Sequence, residues 1–160
     1  MVSLTPNNPD QQAPSQGLDC TEHFTPESAS KLLPLIERIV REMSELSDDM
    51  DGHRAQLSGL SEIQKTIVGN AYEDELEDVR RSFLKVEEQF NSCQKELKAL
   101  GVETHEPFDG AVDFPANLDR RRVNLCWRPG ETAVTHWHEL HEGGEKRNQL
   151  DETVVSGSAV

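Results

Sequence analysis

Three histidines crowd one short run near the C-terminal end, Thr135-His136-Trp137-His138-Glu139-Leu140-His141. On a strand, residues two apart share a face, so His136 and His138 would present their imidazoles together, with His141 following at a reachable spacing. Cys126, Glu139 and Glu142 place a thiol and two carboxylates in the same region. Zinc accepts such nitrogen, sulfur and oxygen donors in tetrahedral geometry, so a zinc site on His136, His138 and His141 is one expectation. The run His138-Glu139-Leu140-His141 is one residue short of the HExxH helix motif, which removes that particular chemistry.

A second expectation needs no metal. His138 with Glu139 or Asp113 makes a pair able to exchange protons near neutral pH. Arg122 and Arg128 offer bidentate contacts to an anionic substrate, beside the flat surface of Trp137. Cys126 next to His138 is a candidate nucleophile, although its neighbours Leu125 and Trp127 suit a buried small residue equally well. Against all of these stands a structural explanation. In it His136 replaces an aromatic in the core, His138 is a hydrogen-bonded strand end and His141 is solvated. Asp113 caps a turn, and Arg128 pairs with Glu131 across a hairpin.

The chain as a whole narrows the classes. Its 160 residues suggest one domain, and the balance of 16 basic against 30 acidic residues gives a net charge of −14. Such a field disfavours nucleic acid and anionic membranes as partners, so the Arg120-Arg121-Arg122 run reads as a solvated loop or an anion contact. Cys20, Cys93 and Cys126 are odd in number and form no CxxC pair, which fits reduced thiols in a cytoplasm. No apolar run approaches the roughly 20 residues of a membrane span, and residues 1–22 show no basic and apolar signal pattern. The first 22 residues, rich in Pro, Gln, Asn and Ser, are expected to be a disordered arm; residues 151–160 form a second tail, around a single domain over 23–150.

Two long helices and a few short strands must hold these groups in place. Thr25-Pro26-Glu27 is a helix start, with Thr25 as N-cap and Pro26 in the first helical position. Ala29, Leu32, Ile36, Ile39, Met43, Leu46, Met50, His53, Leu57, Leu60, Gln64 and Ile67 keep one alternating four-and-three spacing. That unbroken register predicts one long helix despite Pro34, Gly52 and Gly59. After a break at Gly69-Asn70, a second seam runs through Tyr72, Leu76, Val79, Phe83, Val86, Phe90, Cys93, Leu97 and Leu100, and ends at Gly101. A short link between two such helices predicts an antiparallel coiled-coil hairpin. At 1.5 Å per residue the first helix outruns the second by about 20 Å, leaving Ala29, Leu32, Leu33 and Ile36 to be covered by the segment after Gly101.

Beyond Gly101 the apolar period changes to two. Residues 102–105, 111–114, 122–127 and 132–137 read as short strands, with Pro115 ending the second and Arg128-Pro129-Gly130-Glu131 turning between the last two. If Trp127 pairs with Thr132, then Val123, Leu125 and Trp127 share the helix-facing side with Val134 and His136, and Trp137 lies on the opposite side.

Phe24-Thr25-Pro26-Glu27, Leu32-Leu33-Pro34, Val112-Asp113-Phe114-Pro115, Leu125-Cys126-Trp127-Arg128, Gly130-Glu131 and Trp137-His138-Glu139 follow one another in order. From about Phe24 to Leu150 the chain resembles the bacterial family catalogued as domain of unknown function 2203. That resemblance falls on Asp113, Pro115, Cys126, Trp127, Arg128, Gly130, Glu131, Trp137, His138, Glu139, Gly143 and Arg147. The chain departs from it at His136, His141 and Gly144. The resemblance implies a helical hairpin with a small sheet and transfers no activity. The expected molecule is therefore α+β, a long helical hairpin with a small antiparallel sheet of three or four strands at its open end. Its expected role is that of a cytoplasmic, non-catalytic interaction or scaffold protein forming a homodimer through the hairpin. The alternative is a small-molecule-binding or metal-dependent enzyme centred on Trp137, His138 and Glu139.

Overall fold

A computed structural model of the chain describes residues 23–64 and 69–151. The expected N-terminal arm, the tail beyond Asp151, Cys20 and the seam position Ile67 lie outside the described residues. The first helix, α1, runs Pro26–Gln64 without a break at Gly52 or Gly59 and carries Pro34 within it. Its start is closed reciprocally: the Ser28 amide donates to Thr25 Oγ1 at 3.1 Å and the Thr25 amide to Ser28 Oγ at 2.9 Å, satisfying donors that the first turn leaves free. The second helix, α2, spans Asn70–Ala99. It ends in a Schellman arrangement, with the Val102 amide on Leu97 O and the Gly101 amide on Lys98 O, both at 3.0 Å. Gly101 takes φ +81°, and a Cβ there would meet the Phe24 ring at 3.3 Å, so glycine is required on two counts.

The two helices form the expected hairpin. The seam residues of α2 from Tyr72 to Leu97 are buried or half-buried, whereas Leu84, one residue off the seam, is 60% exposed. Salt bridges such as Lys31–Glu27 and Arg81–Glu77 line the outer faces; exposed pairs of this kind contribute little to stability. Among the described residues no helix is long and apolar enough to cross a membrane.

Among the described residues five antiparallel strands in sequential order, rather than the expected three or four, complete the domain: β1 Glu103–Thr104, β2 Val112–Leu118, β3 Arg121–Trp127, β4 His136–Glu139 and β5 Asn148–Gln149. One face of this sheet carries Val112, Phe114, Ala116, Val123, Leu125 and Trp127. They join Ala29, Leu33, Ile36, Ile39, Val40 and Met43 of α1 and Cys93 and Leu97 of α2 in a single core. The overhanging start of α1 is thus covered by the sheet, as the helix lengths require. Each Å² of apolar surface that this junction removes from water stabilises the packing of sheet on helices by about 25 cal/mol.

Three further details depart from the sequence reading. β2 does not stop at Pro115 but continues to Leu118. Pro115 O accepts the Phe24 amide at 2.8 Å, so its N side also faces the edge, where a missing N–H breaks no ladder. The hairpin between β2 and β3 turns on Asp119 and Arg120, at φ 49° and 65°. Two left-handed central residues match the right-handed twist of the flanking strands without any glycine.

The third correction changes the site. β3 and β4 pair Leu125 with Trp137 and Cys126 with His136, three residues away from the Trp127–Thr132 register. The connection is longer than a four-residue turn. Trp127 Nε1 donates to Glu131 O at 2.8 Å, and the chain then makes a second excursion in which buried Val134 donates its amide to Ser30 Oγ at 3.0 Å. An odd slip of register moves every side chain of β4 to the other face. Trp137 therefore packs toward the helical core, and His136 and His138 stand on the face away from it.

Candidate metal centre

The outer face of the sheet is polar where β2, β3 and β4 lie side by side. Asp113 on β2 is directly opposite Cys126 on β3, and His138 on β4 is opposite Asn124, one pleat along. The loop after β1 brings His105 to the same place. Asp113 links the two imidazoles: Oδ1 lies 3.0 Å from His138 Nε2 and Oδ2 lies 3.0 Å from His105 Nε2. One donor atom from each of His105, Asp113, Cys126 and His138 lies within 4.8 Å of all the others. His138 is 2% exposed and Cys126 fully buried, whereas the His105 side chain is 19% exposed.

The outer nitrogens of both rings are already engaged. His138 Nδ1 lies 2.8 Å from Glu139 O, a carbonyl that can only accept, so Nδ1 carries the proton. His105 Nδ1 lies 3.1 Å from Asp109 Oδ2, and Asp109 Oδ1 accepts the Ala111 amide at 2.9 Å. A neutral imidazole has one N–H and one lone pair. With its N–H spent on Glu139 O, a neutral His138 turns the Nε2 lone pair toward the Asp113 carboxylate, whereas His105 lies between the carboxylates of Asp109 and Asp113 and can donate to either. Lone pairs and carboxylate oxygens cannot satisfy one another; a cation between them can.

Burial of His105 disfavours its charged form, but the hydrogen bonds and charges of Asp109 and Asp113 outweigh this and raise its pKa. Asp109 shows the converse. Its partial burial raises its pKa, and the His105 hydrogen bond and the Ala111 amide more than offset that, so its pKa is lowered. Burial, with Asp113 alongside, pushes the Cys126 thiol up to about 12. Without a cation this burial favours the protonated thiol of Cys126, which is a poor nucleophile.

A second layer supports the sulfur. Arg147 contacts Cys126 on one side and Glu131 on the other, with Arg147 Nη2 2.7 Å from Glu131 Oε1. Its Nη1 is buried and has no hydrogen-bond partner. A neutral thiol is a weak acceptor for a guanidinium N–H, and a thiolate would be a strong one. Glu131 Oε2 also accepts the Arg128 amide at 2.9 Å, and Arg128 Nη2 donates to Gly144 O at 2.6 Å, tying the 140–147 segment over the site. A Cβ on Gly144 would lie 2.8 Å from His105 Cε1, so the backbone there abuts the ring.

The sequence-derived residues therefore divide. Asp113 and His138 come together as expected. Glu139 contributes its carbonyl to His138, while its carboxylate pairs with Arg121 at 2.9 Å. His136 shares the face of His138 but contacts Thr135 Oγ1 at 3.0 Å and approaches Glu131 Oε1 at 3.8 Å. His141 is an exposed turn residue, and neither it nor His136 belongs to the metal-capable group found among the described residues. Arg122 is exposed opposite Asn117 toward the hairpin tip, Arg128 acts as a brace, and Trp137 lies beneath the guanidinium of Arg121 at 5.8 Å. None of these three lines the cluster.

Sequence reasoning missed His105 as a donor and underrated Cys126. The available signal was the repeated spacing His105, Asp109, Asp113, followed by an alternating strand ending Leu125-Cys126-Trp127. No curated protein and no solved structure matches the chain. A family model described as "Uncharacterized conserved protein (DUF2203)" matches residues 22–150.

Proposed function

The chain belongs to the DUF2203 family, and we propose that it is a metal-binding protein holding one divalent cation, zinc by its donor set, on His105, Asp113, Cys126 and His138. The observation that carries this reading is the pair of imidazoles whose outer nitrogens are held by acceptors while their inner nitrogens converge on one carboxylate beside a buried thiol. Outer acceptors that fix the tautomer and aim the inner lone pair are the usual setting of a metal-bound histidine. A second proton on each ring would also relieve them, with Asp109 and Asp113 both facing His105, but it would leave the His138 ring, 2% exposed, as a buried charge that shares Asp113 with His105. A divalent ion with one carboxylate, one thiolate and two neutral imidazoles is electrically balanced. Tetrahedral zinc places donor atoms about 3.3–3.7 Å apart, so the group need draw in by only about 1 Å at its widest.

Four protein donors close the coordination shell, which is the pattern of a structural ion. It would fasten the 105–109 loop to three strands of the sheet. This agrees with a non-catalytic interaction protein, and Cys93 and Cys126, neither of them in a disulfide, fit the reducing cytoplasm we assign to it. Metal analysis of protein purified without an affinity tag, followed by zinc titration of the chelated protein, tests the reading. One zinc per chain is expected in the native protein and none in Cys126→Ser. A native protein that takes up no zinc overturns it.

A second reading concerns the far half of the hairpin. There Leu57, Leu60, Leu76 and Phe83 are only half-buried, and Ile63 is 46% exposed. A two-helix seam buries little by itself, and pairing two hairpins as a four-helix bundle would cover it. We therefore propose a homodimer through this half; light scattering that finds a monomer at micromolar concentration contradicts it.

A further inference from the structure

Resting on the metal reading, we propose that His105 is an exchangeable ligand: Asp113, Cys126 and His138 hold the cation, and the departure of His105 opens its fourth position to a small electron-pair donor such as water, an imidazole or a thiolate.

The four donors are not equivalent in how the fold holds them. Asp113, Cys126 and His138 belong to β2, β3 and β4, the central strands of the sheet; Asp113 and Cys126 have a strand partner on both sides, and His138 is paired with Asn124 of β3. Their side chains are nearly inaccessible. His138 is further locked by Glu139 O, within its own strand.

His105 has none of these restraints. It lies just past the two-residue strand β1. Its outer nitrogen is held by Asp109, whose side chain is 49% exposed, so water competes for that bond. Its ring is the only one of the four groups with appreciable exposure, at 19%.

The ring is crowded at one edge and lies beside open space. The Gly144 backbone presses against the ring edge. His105 also lines a cavity of about 410 Å³ shared with Phe90, Asn91, Gln94, Pro107 and Phe108. Space of this size admits the swung-out imidazole or a small incoming molecule. Phe90 and Phe108 meet edge to face at 5.3 Å and offer an apolar wall, while Asn91 and Gln94 supply amides to hold a polar end.

The chemical consequence is specific. A cation with three fixed protein donors and one replaceable position binds exogenous ligands and activates water, which a fully closed site does not. Histidine departure leaves the ion with the charge balance it had before, since the leaving donor is neutral. The class of ligand is a compact donor that fits the place of the imidazole: a neutral one keeps that balance, and a singly anionic one adds one negative charge.

Cobalt(II) in place of zinc makes the coordination visible. His105→Ala is expected to bind one cobalt per chain, whereas Cys126→Ser and His138→Ala bind none. Adding imidazole should shift the visible cobalt bands saturably in the native protein, and at a lower concentration in His105→Ala. Asp109→Asn removes only the outer anchor. It should make the native ligand easier to displace, lowering the imidazole midpoint by about 10-fold, the lower end of what outer-shell contacts contribute. Loss of cobalt from a folded His105→Ala as complete as from His138→Ala overturns the proposal. So do cobalt bands that imidazole leaves unchanged in all three cobalt-binding forms. If His105→Ala does not fold, Asp109→Asn decides alone, and an unshifted midpoint overturns the proposal. A native protein that binds no cobalt instead removes the metal reading itself, and this inference with it.

Discussion

Stripping the cation from the protein is expected to lower its melting temperature by about 10 °C. The four donors come from positions 105, 113, 126 and 138, spread over four segments that meet only when the sheet has formed. The unfolded chain therefore offers no preformed site, and the free energy of binding appears almost wholly as folding free energy. At free zinc 100 times its dissociation constant, the linkage is about 2.7 kcal/mol. For a domain of this size about 1 kcal/mol corresponds to about 4 °C, which gives the stated shift. Asp113→Asn should abolish most of it. That variant keeps the volume but removes the carboxylate that both imidazoles share at 3.0 Å. The assay is a thermal melt by circular dichroism, with zinc buffered at several free concentrations and with chelator. The midpoint should climb with the logarithm of free zinc in the native protein and stay level in the variant. A native midpoint that does not move between chelator and millimolar zinc would rule the linkage out, because a site built from four distant segments cannot bind without stabilising the fold.

Three further outcomes concern other parts of the molecule. Phe83 faces into the hairpin beneath Arg54, at 5.3 Å, whereas Leu84 is 60% exposed; in urea unfolding, Phe83→Asp should cost about 2 kcal/mol or more and Leu84→Asp within about 0.5 kcal/mol. Gly101→Ala should destabilise by about 1–2 kcal/mol, since alanine must adopt φ +81° and crowd Phe24; Gly59→Ala, with open space around it, should be neutral or stabilising by up to about 1 kcal/mol. Partial burial raises the Glu131 pKa, but the Arg147 hydrogen bond and the Arg128 amide outweigh it and hold it below the usual 4.5. A depressed carboxylate contributes stability that is present above its unfolded pKa and lost as pH falls through the folded one. Urea midpoints of the native protein should therefore fall below about pH 4.5 more steeply than those of Glu131→Gln.

The helical half was legible because long apolar seams of four-and-three spacing repeat a simple rule many times. Twenty-one seam positions in two registers leave little room for a second interpretation, and the caps at Thr25 and Gly101 are local chemistry. Which strand face meets the helices was legible too, from the alternation of Val123, Leu125 and Trp127. The β3–β4 register was not. It depends on Val134 docking against Ser30, a contact between residues 104 positions apart, and no local pattern encodes that. The slip of three carried the histidines of β4 away from the core. His105 was illegible for a related reason. Its partners sit on a hairpin whose turn, Asp119-Arg120, is formed by two left-handed residues without the Asn-Gly signature. With that turn unread, nothing in the sequence put Asp113 opposite Cys126.

Anomalous X-ray scattering at the zinc absorption edge, from crystals of the zinc-loaded protein, locates the ion directly. One strong peak is expected on the outer face of the sheet, within about 2.0–2.3 Å of His138 Nε2, an Asp113 carboxylate oxygen, Cys126 Sγ and His105 Nε2. Density that leaves Asp113 hydrogen-bonded to both imidazoles, with no anomalous peak between them in zinc-soaked crystals, would contradict a metal centre here.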